Sequence, residues 1–87
     1  MRALFVGGTV DNSEMDLDAS EAPKFYPYQP GGELRAQYRL FEVGQHGKQP
    51  AYVVYAAVDM DDAEVERIID ERDYPRRFDA DQRKPVN

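Results

Sequence analysis

Cysteine is absent from the 87-residue chain. That excludes a disulfide framework, a thiolate zinc site and a cysteine nucleophile, and it fits a reducing cytoplasm. Long hydrophobic runs are missing too: the longest, Ala51 to Val58, falls far short of the roughly 20 apolar residues that span a bilayer. The start of the chain has one arginine and a short Ala3-Leu4-Phe5-Val6 stretch before Gly7-Gly8, which is not the pattern of a signal peptide. Histidine occurs once, as His46 between Gly44 and Gly47, where a solvated turn residue is expected in place of a catalytic base. Ser13 and Ser20 sit among acids without the strand-turn-helix elbow of a nucleophile. Gly7-Gly8 lacks the third glycine, the Lys-Ser/Thr pair and the following helix of a phosphate loop, so a hairpin turn is the better account. Asp59-Met60-Asp61-Asp62 does not carry the spacing of a calcium loop. No cofactor, no metal and no enzymatic activity are expected.

What the chain does have is enough apolar material for one small core. It is 41% hydrophobic, with six tyrosines and four phenylalanines, which argues against full disorder. The net charge of −6 is unevenly placed. Residues 59–74 carry eight acids and two bases, whereas residues 34–58 carry one acid and three bases. A surface this acidic repels nucleic acid and anionic membrane, apart from a basic strand face (Arg35, Arg39, Lys48) and the pair Arg76-Arg77.

Arg2 to Val6 reads as a first strand, and Ser13 to Asp18, with Met15 and Leu17 on one face, as a second joined to it by a hairpin. Ala19 to Gly32 holds Pro23, Pro27 and Pro30 around Phe25, Tyr26 and Tyr28. It is expected to be a loop whose aromatics roof the sheet. Leu34 to Val43 alternates at period two, and Ala51 to Val58 is apolar on both faces, so these form a hairpin with the second strand central. Asp59 to Tyr74 is the one helix, with Asp59 as N-cap and Val65, Ile68 and Ile69 as its apolar stripe. The fold class is α+β: a small, mainly antiparallel sheet of about four strands with one C-terminal helix packed on a face. Residues 1–75 form the domain, and 76–87 a frayed charged tail. One under-covered sheet face or edge makes a homodimer a candidate assembly.

The helix carries the strongest functional signal. At 100° per residue, Asp59, Asp62, Glu66, Asp70 and Asp73 fall in one band, with no base interposed. Like charges at this spacing repel, and acids near a helix C-terminus oppose its dipole. Such a row is either a solvated face or a surface kept acidic for a basic partner. Phe25, Tyr26 and Tyr28 are the second place a partner would dock.

The order of these features resembles that of small proteins encoded by tailed phages and prophages of GC-rich bacteria. Those begin with a short apolar strand and Gly-Gly-Pro-x-Asp-Gly, and continue through a Pro-rich middle and two Tyr-containing strands to a short acidic helix. The counterparts here are Ala3 to Gly8, Pro23 to Pro30, Tyr38-Arg39-Leu40, Gly44 to Gly47, Tyr52-Val53-Val54-Tyr55 and Met60 to Glu64. Thr9-Val10-Asp11-Asn12 replaces the Pro-x-Asp-Gly turn. The resemblance spans roughly residues 3–74 and implies phage origin, with no activity or site to transfer. The expectation is a non-enzymatic accessory protein in the host cytoplasm. It would bind a host or phage protein with a basic surface as an acidic mimic of nucleic acid, without binding nucleic acid or membrane itself. The alternative is a minor virion or assembly component.

Overall fold

The computed structural model describes residues 1–17, 22–27 and 37–86. Its elements are β1 (Arg2–Val6), β2 (Glu14–Asp16), β3 (Phe25–Tyr26), β4 (Tyr38–His46), β5 (Gln49–Ala57), α1 (Asp62–Arg72), α2 (Tyr74–Arg77) and β6 (Gln82–Pro85). The six strands form one sheet in the order β2-β1-β5-β4-β3, with β6 also on β4. The class is α+β. The sheet is mixed, however, and larger than four antiparallel strands, because β1 pairs parallel to β5 along its whole length, Arg2 opposite Tyr52 through Val6 opposite Ala56. Two strands that are each apolar on both faces can share only the sheet centre, and that burial decides the pairing across a long sequence separation.

β5 is the middle of the molecule. Alternation sends Tyr52, Val54 and Ala56 to one face and Val53, Tyr55 and Ala57 to the other, all buried. The first face joins Leu4, Val6 and Phe41 beneath Val65 and Ile69 of α1 and Tyr74 of α2. On the second, Phe5 meets Tyr38 and Tyr26 edge-on, each with ring centroids 5.1 Å apart, and stacks on Tyr55. The Tyr55 hydroxyl donates to the Pro23 carbonyl at 2.7 Å; burial, then Tyr26 nearby, pushes its pKa up to about 12. Both faces of β5 are therefore covered within one chain.

The Gly7-Gly8 turn is built around a tyrosine. The Tyr38 hydroxyl donates to the Gly7 carbonyl at 2.8 Å and accepts from the Val10 N–H at 3.0 Å. A Cβ at Gly8 would lie 2.7 Å from that oxygen, on a backbone already at φ +70. The turn delivers the chain into β2, antiparallel to β1.

Several boundaries differ from expectation, among them that of β4, which runs on through Gly44 to His46, a residue expected in a turn. The helix starts at Asp62, three residues after Asp59, and Asp61 holds the N-cap position. Asp59 lies in a turn closed by the Met60 N–H on the Ala57 carbonyl. The tail expected to fray instead forms α2 and β6, the latter pairing antiparallel with β4 from Glu42 to Gln45. Phe78 and Ala80 pack on the core, while β6 itself is held by backbone bonds and by Arg83 on Glu42 and Glu66, which leave no hydrophobic trace in the sequence. Among the described residues, no helix is long and apolar enough to cross a membrane.

Candidate functional site

The acidic side of α1 is where sequence and structure can be compared directly. Three of its acids, Asp62, Glu66 and Asp70, follow one another at i,i+4 on the helix. The row is not free of bases, because arginines from two strands reach it. Arg39 of β4 donates to Asp62 at 2.7 Å and to the Met60 carbonyl at 2.8 Å, and its guanidinium lies over the Phe41 ring. Arg83 of β6 donates to Glu66 at 2.8 Å. Asp73 is the left-handed C-cap of α1 and has Arg76 at 3.7 Å. Arg67 bonds Glu64 and Glu71 on the helix itself. The expectation of an uncompensated stripe is corrected accordingly: Asp62 and Glu66 are the helix's attachment to β4 and β6. Asp59, Asp61 and Asp70 remain exposed, with no ion pair among the described residues.

Beneath Glu66 lies a connection that the sequence reading missed. Arg83 donates to both oxygens of Glu42, at 2.8 and 3.1 Å, and the Tyr52 hydroxyl donates to Glu42 at 2.9 Å. Glu42 is only 2% exposed, yet its carboxylate is fully engaged. Burial, then the Glu42 charge, raises the Tyr52 pKa well above the ordinary phenol range, so it stays a donor. The bonds to Glu42, followed by Glu66, likewise hold Arg83 in its charged form. The available signal was Glu42 itself, the one acid in residues 34–58, set inside the apolar Leu40 to Val43 stretch.

The aromatic loop splits between the two roles proposed for it. Tyr26 packs on Phe5 and Tyr55 and belongs to the core. Phe25 and Asp62 line the same surface groove. Tyr28 lies outside the described residues.

At the far end, His46 takes up a structural contact: its Nδ1 lies 2.7 Å from the Asp79 carbonyl and 3.5 Å from the Asp79 carboxylate. Among the described residues, no three His, Cys, Asp or Glu side chains converge on a point where a metal could sit. No family model, curated protein or solved structure matches the chain.

Proposed function

We propose that the chain is a non-catalytic accessory protein of tailed-phage type that acts in the host cytoplasm. It docks the acid-rich side of α1 on a protein whose basic surface otherwise holds nucleic acid. The observation that carries this reading is the distribution of compensation. Residues 59–74 hold eight acids and two bases, and the strand arginines engage Asp62 and Glu66, while Asp59, Asp61 and Asp70 stay exposed. The sheet arginines thus fix the helix in place, and the acids they do not reach stay exposed at its start and along its outer side. The order of motifs along residues 3–74 supports the phage assignment.

Affinity capture from a nuclease-treated bacterial lysate tests the reading, with wild type and the double variant Asp59→Lys/Asp70→Lys immobilised side by side. These two positions are chosen because neither holds another element in place. The expected result is a protein retained by wild type, lost by the variant and released by added duplex DNA. Identical retention by both forms would overturn the reading.

A further inference from the structure

The outer edge of β4 is shared by two strands that do not meet. β3 pairs with Tyr38 and Arg39, and β6 with Glu42 to Gln45. Between them the Leu40 N–H donates to the Lys24 carbonyl at 2.8 Å, and the Val86 N–H to the Phe41 carbonyl at 3.0 Å. The register of β4 against β5 also shifts between Leu40 and Glu42. At this interruption the surface opens into a groove of about 360 Å³, lined by Lys24, Phe25, Arg39, Leu40, Asp62 and Val86. That volume is on the scale of small-molecule sites, roughly 300–1,000 Å³.

With those backbone groups paired, side chains decide what the groove accepts. Phe25, Leu40 and Val86 supply apolar walls. Lys24 is exposed and has no ion pair among the described residues. Arg39 uses only Nη2 for Asp62 and Met60, which leaves Nε and Nη1 without a partner among the described residues. Asp62 is already taken by Arg39, so it offers little to an incoming cation. Two cations and one acid make this a basic spot on a chain whose net charge is −6.

We propose that the groove binds a small apolar carboxylate. Its hydrocarbon lies against Phe25, Leu40 and Val86, and its carboxylate sits between Lys24 Nζ and an unpartnered N–H of the Arg39 guanidinium. A carboxylate there accepts a charge-assisted hydrogen bond from each of the two cations, which an ammonium cannot do and a neutral alcohol does only weakly. This site is separate from docking through Asp59 and Asp70, with which it shares no residue.

Titrating the isotope-labelled chain with hexanoate, hexan-1-ol and hexylammonium, followed by amide NMR, tests the proposal. Hexanoate should shift the Lys24, Phe25, Leu40 and Val86 amides saturably, with a Kd of about 1 mM for a ligand of this size. Lys24→Glu should weaken it about tenfold and the milder Lys24→Ala about threefold, each a loss expected of one charged contact. The well-dispersed spectrum of either variant checks that it is folded. Hexanol or hexylammonium binding as tightly as hexanoate, unaltered hexanoate affinity in both variants, or no saturable shift with hexanoate would each overturn the proposal.

Discussion

Arg83 holds Glu42 by both carboxylate oxygens, linking the last strand of the chain to a residue buried in the centre of β4. The same guanidinium bonds Glu66, so one side chain ties β6, β4 and α1 together. It explains why a strand as polar as Gln82-Arg83-Lys84-Pro85 stays on the sheet.

Removing Arg83 therefore has a larger effect than removing a surface ion pair. Arg83→Ala leaves the Glu42 carboxylate buried, with Tyr52 as its remaining hydrogen-bond donor. A broken buried pair costs several kcal/mol; since Arg83 is itself a third exposed, we expect a loss of about 2–3 kcal/mol in urea unfolding. The double variant Glu42→Leu/Arg83→Met should recover most of it, because a packed apolar pair has no desolvated charge to satisfy. Amide exchange across β6 should rise in the single variant.

Two glycines of one hairpin separate space from conformation. Gly44 has ordinary backbone angles, but a Cβ there would run into the Tyr52 ring across the strand pair. Gly47 has open space around it and φ +61. Gly44→Ala should cost about 1–3 kcal/mol by overpacking, and Gly47→Ala about 1 kcal/mol from left-handed strain. In a double-mutant cycle Gly44→Ala should couple favourably to a smaller residue at position 52, whose own cost comes from the lost core packing and the bond to Glu42, while the Gly47 variant should show no such coupling.

On the helix, Ile69 is fully buried and Ile68 only partly so. Ile69→Ala should lose about 2–5 kcal/mol, and Ile68→Ala clearly less, in the same unfolding assay. Equal losses would mean the helix is rotated from the orientation described.

That orientation was only half legible in the sequence. The central strand showed as Ala51 to Val58 because period-two burial on both faces leaves an unbroken apolar run, and Val65, Ile68 and Ile69 marked the inner side of the helix. The parallel pairing of β1 with β5 was not legible, since local pattern says nothing about which distant strand lies alongside. β6 was hidden for a related reason: Gln82 to Pro85 is held by backbone bonds and by Arg83, neither of which produces hydrophobic periodicity. The acidic spacing on α1 could be read directly, but not the arrival of Arg39 and Arg83 from other strands. The fold makes those pairs.

Stability should also depend on pH through His46. Its pKa is raised, first by the hydrogen bond to the Asp79 carbonyl and then by the Asp79 and Asp81 carboxylates. A folded pKa above the unfolded value of about 6.5 means this contribution is complete below pH ~6.5 and is lost as pH rises through the folded value. The urea midpoint should thus drift down across the neutral range in wild type, and His46→Gln should remove that drift. On the acid side, burial alone would raise the Asp11 pKa, but the Gly7 N–H and Arg72 together lower it. Its contribution is present above the unfolded value of about 3.9 and disappears as pH falls through the folded one. Asp11→Asn should flatten that acid limb.

Glu66 is a poor position for testing the docking surface, because Glu66→Lys would place a cation against Arg83 and disturb Glu42. Asp59 and Asp70 avoid that difficulty. The central claim is tested most directly by equilibrium binding of the captured partner to wild type and Asp59→Lys/Asp70→Lys, at about 50 and about 500 mM salt. The account predicts that wild-type affinity falls by at least about tenfold between the two salts, that duplex DNA competes, and that the double reversal binds weakly even at low salt. Binding that is equally tight for both forms and unchanged by salt would contradict it.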